Sequence, residues 1–196
     1  AVVTTQRDFG DRSNRKHARL KYTIDDRGIE WFKGEVESRS GIKFQPERPF
    51  KFDTTADRFG WSKGTNGLWN LNLFIENGRV KDTEDIKIKT GLREIAKIHK
   101  GDIRITPNQN LIIGNIAEED RSTIENLLKK YRIFESYNQS ALRLNSMACV
   151  AMPTCGLALA ESERQLPDII TKLETAIEES GLRDDAISIR MTGCPN

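Results

Sequence analysis

The stretch from residue 68 to residue 132 constrains the fold more than any other, because its hydrophobic period changes repeatedly with few residues to spare between segments. "LWNLNLFI" (68–75) places Trp69, Leu71, Leu73 and Ile75 on one face of a strand, and "ENG" (76–78) supplies a turn into "RVKD". "TGLREIAKIHKG" (90–101) switches to helical spacing, with Thr90 as the expected N-cap, Leu92, Ile95 and Ile98 on one face, and Gly101 just past the end. "DIRIT" and "NLIIGNI" are two short strands separated by Pro107 and Asn108, a turn-forming pair. "AEEDRSTIENLLKKYR" (117–132) is a helix, acidic at its start and basic at its end, as the helix dipole prefers. The order β-α-β-β-α is most of a split βαβ unit, helices packed on an antiparallel sheet, so the fold class is α+β. That topology hosts many functions and names none.

The flanks are less regular. "AVVTT" at the start reads as β-like, and "IEWFKGEVESRSG" (29–41) reads as a helix with Ile29, Phe32 and Val36 on its buried face and Gly41 as its stop. Pro46 and Pro49 forbid a helix through "FQPERPFKFD" (44–53), which is expected to be an extended linker. "GLALAESERQLPDIITKLETAIEESGLR" (156–183) looks helical with a break before Pro167, and "AISIRMT" (186–192) alternates as a strand leading into Cys194. The organisation is therefore a segment 1–45, a linker 46–58, the α+β unit 59–135 and a further segment 136–196. A start without methionine and a finish on the turn sequence "GCPN" suggest a piece of a longer protein.

Composition narrows the class. With 37% hydrophobic and 31% charged residues, and no apolar run near the ~18 residues of a spanning helix, the chain reads as soluble and intracellular, without a membrane partner. A net charge of +2 gives no global field that demands a nucleic acid. The excess is local: Arg7, Arg12, Arg15, Lys16, Arg19 and Lys21 stand against Asp8 and Asp11 in the first 21 residues. Such a run is either a solvated face or a cradle for carboxylates or phosphates, which guanidinium groups pair bidentately.

Three cysteines, an odd count without a secretion signal, argue against a disulfide framework. Pro153 between Cys149 and Cys155 forces a loop, and Gly193 and Pro195 bracket Cys194 in another turn. Buried free thiols and thiolate ligands of a cluster both remain open. Zinc is less favoured, since His17 and His99 lie far off in sequence and no CxxC knuckle occurs. Three thiolates fall one short of a four-thiolate cluster. Asn108, Gln109 and Asn110 between the two strands read as amides that satisfy turn backbone.

The stretches "VVTTQRDFGDRSNRKHARLKYT", "LREIAKIHKGDIRITPNQNLII", "NSMACVAMPTC", "LALAESER" and "MTGCPN" together resemble the siroheme-containing sulfite and nitrite reductase family, on its sulfite branch, in matching order through nearly the whole chain. The resemblance implies a ferredoxin-like half-repeat flanked by segments of siroheme and 4Fe-4S domains, and a six-electron reduction of sulfite to sulfide. It implies that Cys149 and Cys155 are the C-x5-C pair of cluster ligands and Cys194 the first of a C-x3-C pair, whose second member would lie two residues beyond Asn196. It makes Arg12, Arg15, Lys16, Arg19 and Lys21 candidate contacts for the siroheme carboxylates, places Asn196 close to the cofactor, and leaves Asn108, Gln109 and Asn110 structural. It further implies an electron donor, a flavoprotein subunit or a ferredoxin, a cytoplasmic or plastid location, and no activity for these residues alone. Two alternatives stand beside it: a nitrite reductase of the same family, and a nucleic-acid-binding α+β module with a basic arm, against which the sheet lacks the basic-aromatic strand pattern of RNA binders.

Overall fold

The computed structural model describes residues 1–134 and 138–195. They form two compact units, Ala1–Asp53 and Thr54–Asn196.

The first unit is helical: α1 (Val2–Phe9), α2 (Leu20–Arg27) and α3 (Ile29–Ser40). "AVVTT" is helix rather than strand. Its β-branched residues disfavour a helix only weakly, and here the Thr4 and Thr5 hydroxyls donate to the Ala1 carbonyl while Thr5 is buried, so local bonding and packing outweigh propensity. Phe9 meets Trp31 edge-on at 5.0 Å, and the Arg27 guanidinium lies 4.8 and 4.6 Å from the two ring centres. Helix α3 buries Phe32 and Val36 and ends on Gly41 in the left-handed region (φ 69°), a conformation that favours glycine. Ile29, expected on the buried face, is exposed.

The second unit contains the α+β sandwich. Strands β1 (Gly60–Lys63), β2 (Trp69–Leu73), β3 (Asp102–Ile105) and β4 (Leu111–Ile116) form an antiparallel sheet in the order β1-β2-β4-β3, with α4 (Ile88–Ile98) and α5 (Glu118–Lys130) packed on it. Strand β4 lies between β2 and β3, which α4 connects, and this is the split βαβ arrangement. Leu71, Leu73, Ile75, Ile95, Ile113, Ile124 and Leu128 are its fully buried core. Strand β1 was not anticipated, although Asn66-Gly67 between two short runs is a hairpin signal; the Gly64 N–H closes the turn on the Leu68 carbonyl. "RVKD" is not a strand and makes only one bridge, Asp82 to Lys87. Helix α4 starts before Thr90, which is not its N-cap. The Asp82 carboxylate takes the Thr90 N–H and hydroxyl instead, at 3.1 and 2.5 Å. Ile98 is largely exposed.

The rest of this unit consists of α6 (Ala141–Leu144), β5 (Met147–Ala148), α7 (Leu166–Glu179) and β6 (Arg190–Met191), with Leu142, Ala148, Leu166 and Ile170 as a small second core. Helix α6, also not anticipated, is capped by the Ser140 hydroxyl. The helix expected over 156–183 is confined to α7, and Pro167 sits in its first turn, where the missing N–H costs nothing. Residues 156–165 are drawn away from helix because their polar groups bond elsewhere. The Leu159 and Ala160 N–H groups donate to the Gly193 carbonyl, the Ser162 hydroxyl to the Met191 carbonyl, and the Glu163 N–H to the Cys149 carbonyl. Only Arg190 and Met191 of "AISIRMT" are strand, pairing in parallel with Met147 and Ala148.

Candidate functional site

Strand β5 delivers Cys149 and strand β6 delivers Cys194, so the parallel pairing that joins the strands also brings the two cysteine turns side by side. The Cys149 N–H donates to the Met191 carbonyl at 3.1 Å. The Gly193 N–H points at the Cys149 sulfur at 3.4 Å. Gly193 is buried, and a methyl group there would stand 2.5 Å from both Cβ of Ala151 and the Ala160 carbonyl oxygen, so only glycine lets the turns approach this closely. Cys155 joins the same loop through its N–H, which donates to the Ala151 carbonyl at 2.8 Å.

All three thiols are free and half-buried. The Gly193 N–H pulls the Cys149 thiol below its usual pKa, burial opposes this, and the Ser162 hydroxyl adds to the lowering. Val150, Met152, Leu157 and Leu159, which stand in the same segment, all have exposed apolar side chains. Among the described residues no three histidine, cysteine or acidic side chains converge as a single metal ion requires. A cubane cluster asks for something different, since each thiolate there binds its own iron.

The basic stretch lies in the first unit. Asp11 spends its carboxylate on the Ser13 and Asn14 N–H groups, which also hold it below its usual pKa, and the Asn14 side chain takes the Lys16 N–H. This turn presents Arg12, Arg15 and Lys16 outward. Arg19 and Lys21 flank Tyr22, 5.7 and 4.8 Å from its ring centre. All five candidate cations are exposed, and none is paired with a carboxylate among the described residues. Arg7 and Arg39, by contrast, are both committed to Asp8, whose carboxyl they hold far below its usual range. Asn196 lies outside the described residues.

The amide cluster is structural, as anticipated. Asn110 is buried, its oxygen accepts the Ile75 N–H at 2.9 Å, and its nitrogen donates to Asp57 at 2.7 Å. Asn108 donates to Thr55 and Asp57. Gln109 reaches further, donating to the carbonyl of Ala148, the residue before Cys149. Asn77 accepts the Ala148 N–H. These two contacts join the sandwich to the cysteine loop, and the sequence offered "ENG" and "PNQN" only as turns.

Comparison with known proteins matches residues 62–131 to the Nitrite/Sulfite reductase ferredoxin-like half domain and residues 1–44 to the Nitrite and sulphite reductase 4Fe-4S domain. The chain is 56% identical over 195 residues to the sulfite reductase (NADPH) hemoprotein beta-component of Anoxybacillus flavithermus and 57% identical over 196 residues to that of Nitrobacter winogradskyi.

This chain belongs to the nitrite and sulfite reductase family.

It spans about a third of those relatives: all of the chain is covered, and 34% of each of them. Among solved structures, the Mycobacterium tuberculosis NirA protein superposes over the whole chain and 36% of its own, with a TM-score of 0.76 and 29% identity. As a member of this family the chain carries the ferredoxin-like half domain on β2 to α5, and the residues matched to the 4Fe-4S domain, 1–44, hold the five free cations but no cysteine.

Proposed function

We propose that these residues are part of a sulfite reductase that reduces sulfite to sulfide with six electrons, and that Cys149, Cys155 and Cys194 are three of the four thiolates of its 4Fe-4S cluster. The observation that carries the assignment is the contact of the Gly193 N–H with the Cys149 sulfur, which closes the turn of the third cysteine onto the first. An amide N–H aimed at sulfur favours the thiolate a cluster needs. The exposed apolar side chains of the same segment suit the dry surroundings of such a centre. The fourth thiolate is supplied from outside these residues. When bound, the cluster and siroheme would supply single electrons and the iron at which the anion is reduced.

The chain's own part is ligation and charge. Arg12, Arg15, Lys16, Arg19 and Lys21, unneutralised and exposed, suit the carboxylates of a siroheme. The names of the relatives favour sulfite over nitrite, and they favour a reductase over a nucleic-acid binder. They also name NADPH, which fits a flavoprotein subunit better than ferredoxin as the electron donor. Three cysteines outside any disulfide suit a reducing compartment, and the cytoplasm is the location we propose.

The test is anaerobic expression of the full-length protein, with its visible spectrum, iron and acid-labile sulfide measured. Haem bands with cluster-stoichiometric iron and sulfide are expected; their absence overturns the assignment.

A further inference from the structure

We propose that Asn77 and Gln109, both on the ferredoxin-like half, are positioning residues for the Cys149 thiolate, acting through the peptide groups of Ala148. The proposal rests on the assignment of Cys149 as a cluster ligand. Ala148 is fully buried, so water cannot replace a partner lost from its backbone. The Asn77 oxygen accepts the Ala148 N–H at 3.0 Å, and Gln109 donates to the Ala148 carbonyl at 2.9 Å. The Asn77 amide nitrogen donates to the Glu163 carbonyl at 3.2 Å, and the Glu163 N–H in turn donates to the Cys149 carbonyl at 3.1 Å. The residue before Cys149 and the carbonyl of Cys149 are therefore both held, one directly and one through Glu163. Arg79 reinforces the second route with a forked ion pair to the Glu163 carboxylate, both bonds at 2.5 Å.

The backbone is specialised for this contact. Asn77 has φ 50° and Gln109 has φ 67°, and both sit in the left-handed region that non-glycine residues enter at a cost. Asparagine tolerates it through local bonding, whereas glutamine has no such excuse. The two turns also touch, since a side chain on Gly78 would meet Cβ of Gln109 at 3.3 Å. Two turns at the same end of the sheet, one following β2 and one joining β3 to β4, thus converge on one buried residue, the one that precedes the ligand. Helical or strand structure in the sandwich needs neither bond.

The test uses the full-length protein with Asn77→Ala, Asn77→Asp and a control, Asn72→Ala. Asn72 lies in the same sheet and donates to the Arg58 carbonyl at 3.0 Å without reaching the cysteine loop. Two readouts are taken: the electron paramagnetic resonance spectrum and reduction potential of the reduced cluster, and the alkylation rate of Cys149 after the iron is removed. Asn77→Ala is expected to shift the spectrum and potential and to speed alkylation roughly fivefold, the factor a lost hydrogen bond to a buried group gives. Asn77→Asp keeps the acceptor for the Ala148 N–H and should restore most of the wild-type signal. If Asn77→Ala leaves both readouts unchanged, or Asn72→Ala moves them as much, the positioning role is wrong. Should the wild-type protein prove to hold no cluster, the assignment in the preceding section fails, and the alkylation rates alone still decide whether Asn77 holds Cys149.

Discussion

Gly193→Ala is the most demanding perturbation of the cysteine site, because the structure leaves no direction in which the added methyl can go. Its Cβ would stand 2.5 Å from Cβ of Ala151 and 2.5 Å from the Ala160 carbonyl oxygen, and neither is the far end of a flexible side chain. The backbone must separate, and with it go the Leu159 and Ala160 N–H bonds to the Gly193 carbonyl, now 2.7 and 3.1 Å. Overpacking in a tight site costs about 1–3 kcal/mol, and two weakened backbone bonds add about 1 kcal/mol, for a total of about 2–4 kcal/mol. The control is Gly156→Ala, beside Cys155, where an added methyl meets nothing within 4 Å. Thermal unfolding should show Gly193→Ala melting roughly 5 °C or more below wild type, with Gly156→Ala unchanged. If the two variants melt within about 1 °C of each other, the close approach of the two turns is not what the structure describes.

Other consequences can be checked separately. Asn110→Ala leaves the Ile75 N–H and Asp57 without their buried partner and should cost about 1–3 kcal/mol in urea unfolding, more than Asn108→Ala at the more exposed turn position. Glu174 is held below its usual pKa first by the Arg143 guanidinium and then by the Ser140 hydroxyl. Its folded pKa is the lower one, so its stabilisation is present above the unfolded value of about 4.3 and is lost as pH falls below it. Glu174→Gln should therefore be less stable by about 1–2 kcal/mol at neutral pH, with the gap to wild type closing on acidification in melts from pH 7 to 3. Arg19→Glu in the full-length protein should reduce haem content several-fold at unchanged melting temperature, and unchanged haem content would remove Arg19 from the cofactor surface.

The sandwich was legible because its periodicity agrees with its burial: Leu71, Leu73, Ile75 and Ile95 are buried where spacing places them. The hairpin of β1 was missed, though Asn66-Gly67 announces its turn. Helix α1 was hidden because the preference of Val2, Val3, Thr4 and Thr5 for strand is small beside packing and two hydroxyl bonds to Ala1. The stretch 156–165 carries a helix-like pattern, yet its N–H groups serve Gly193 and Cys149, partners no periodicity reveals. For the candidate site, the turns around Pro153 and Gly193 could be read locally. The roles of Asn77 and Gln109 could not, because they bond Ala148 across 71 and 39 residues of sequence.

The most direct test of the central claim is the iron and acid-labile sulfide content of three single variants of the full-length protein, Cys149→Ala, Cys155→Ala and Cys194→Ala, purified anaerobically beside wild type. Each is predicted to lose cluster iron, sulfide or both, because alanine leaves no side chain to hold the iron at that corner; a variant that keeps the full wild-type iron and sulfide would show that its thiol is not a ligand and would contradict the three-ligand assignment.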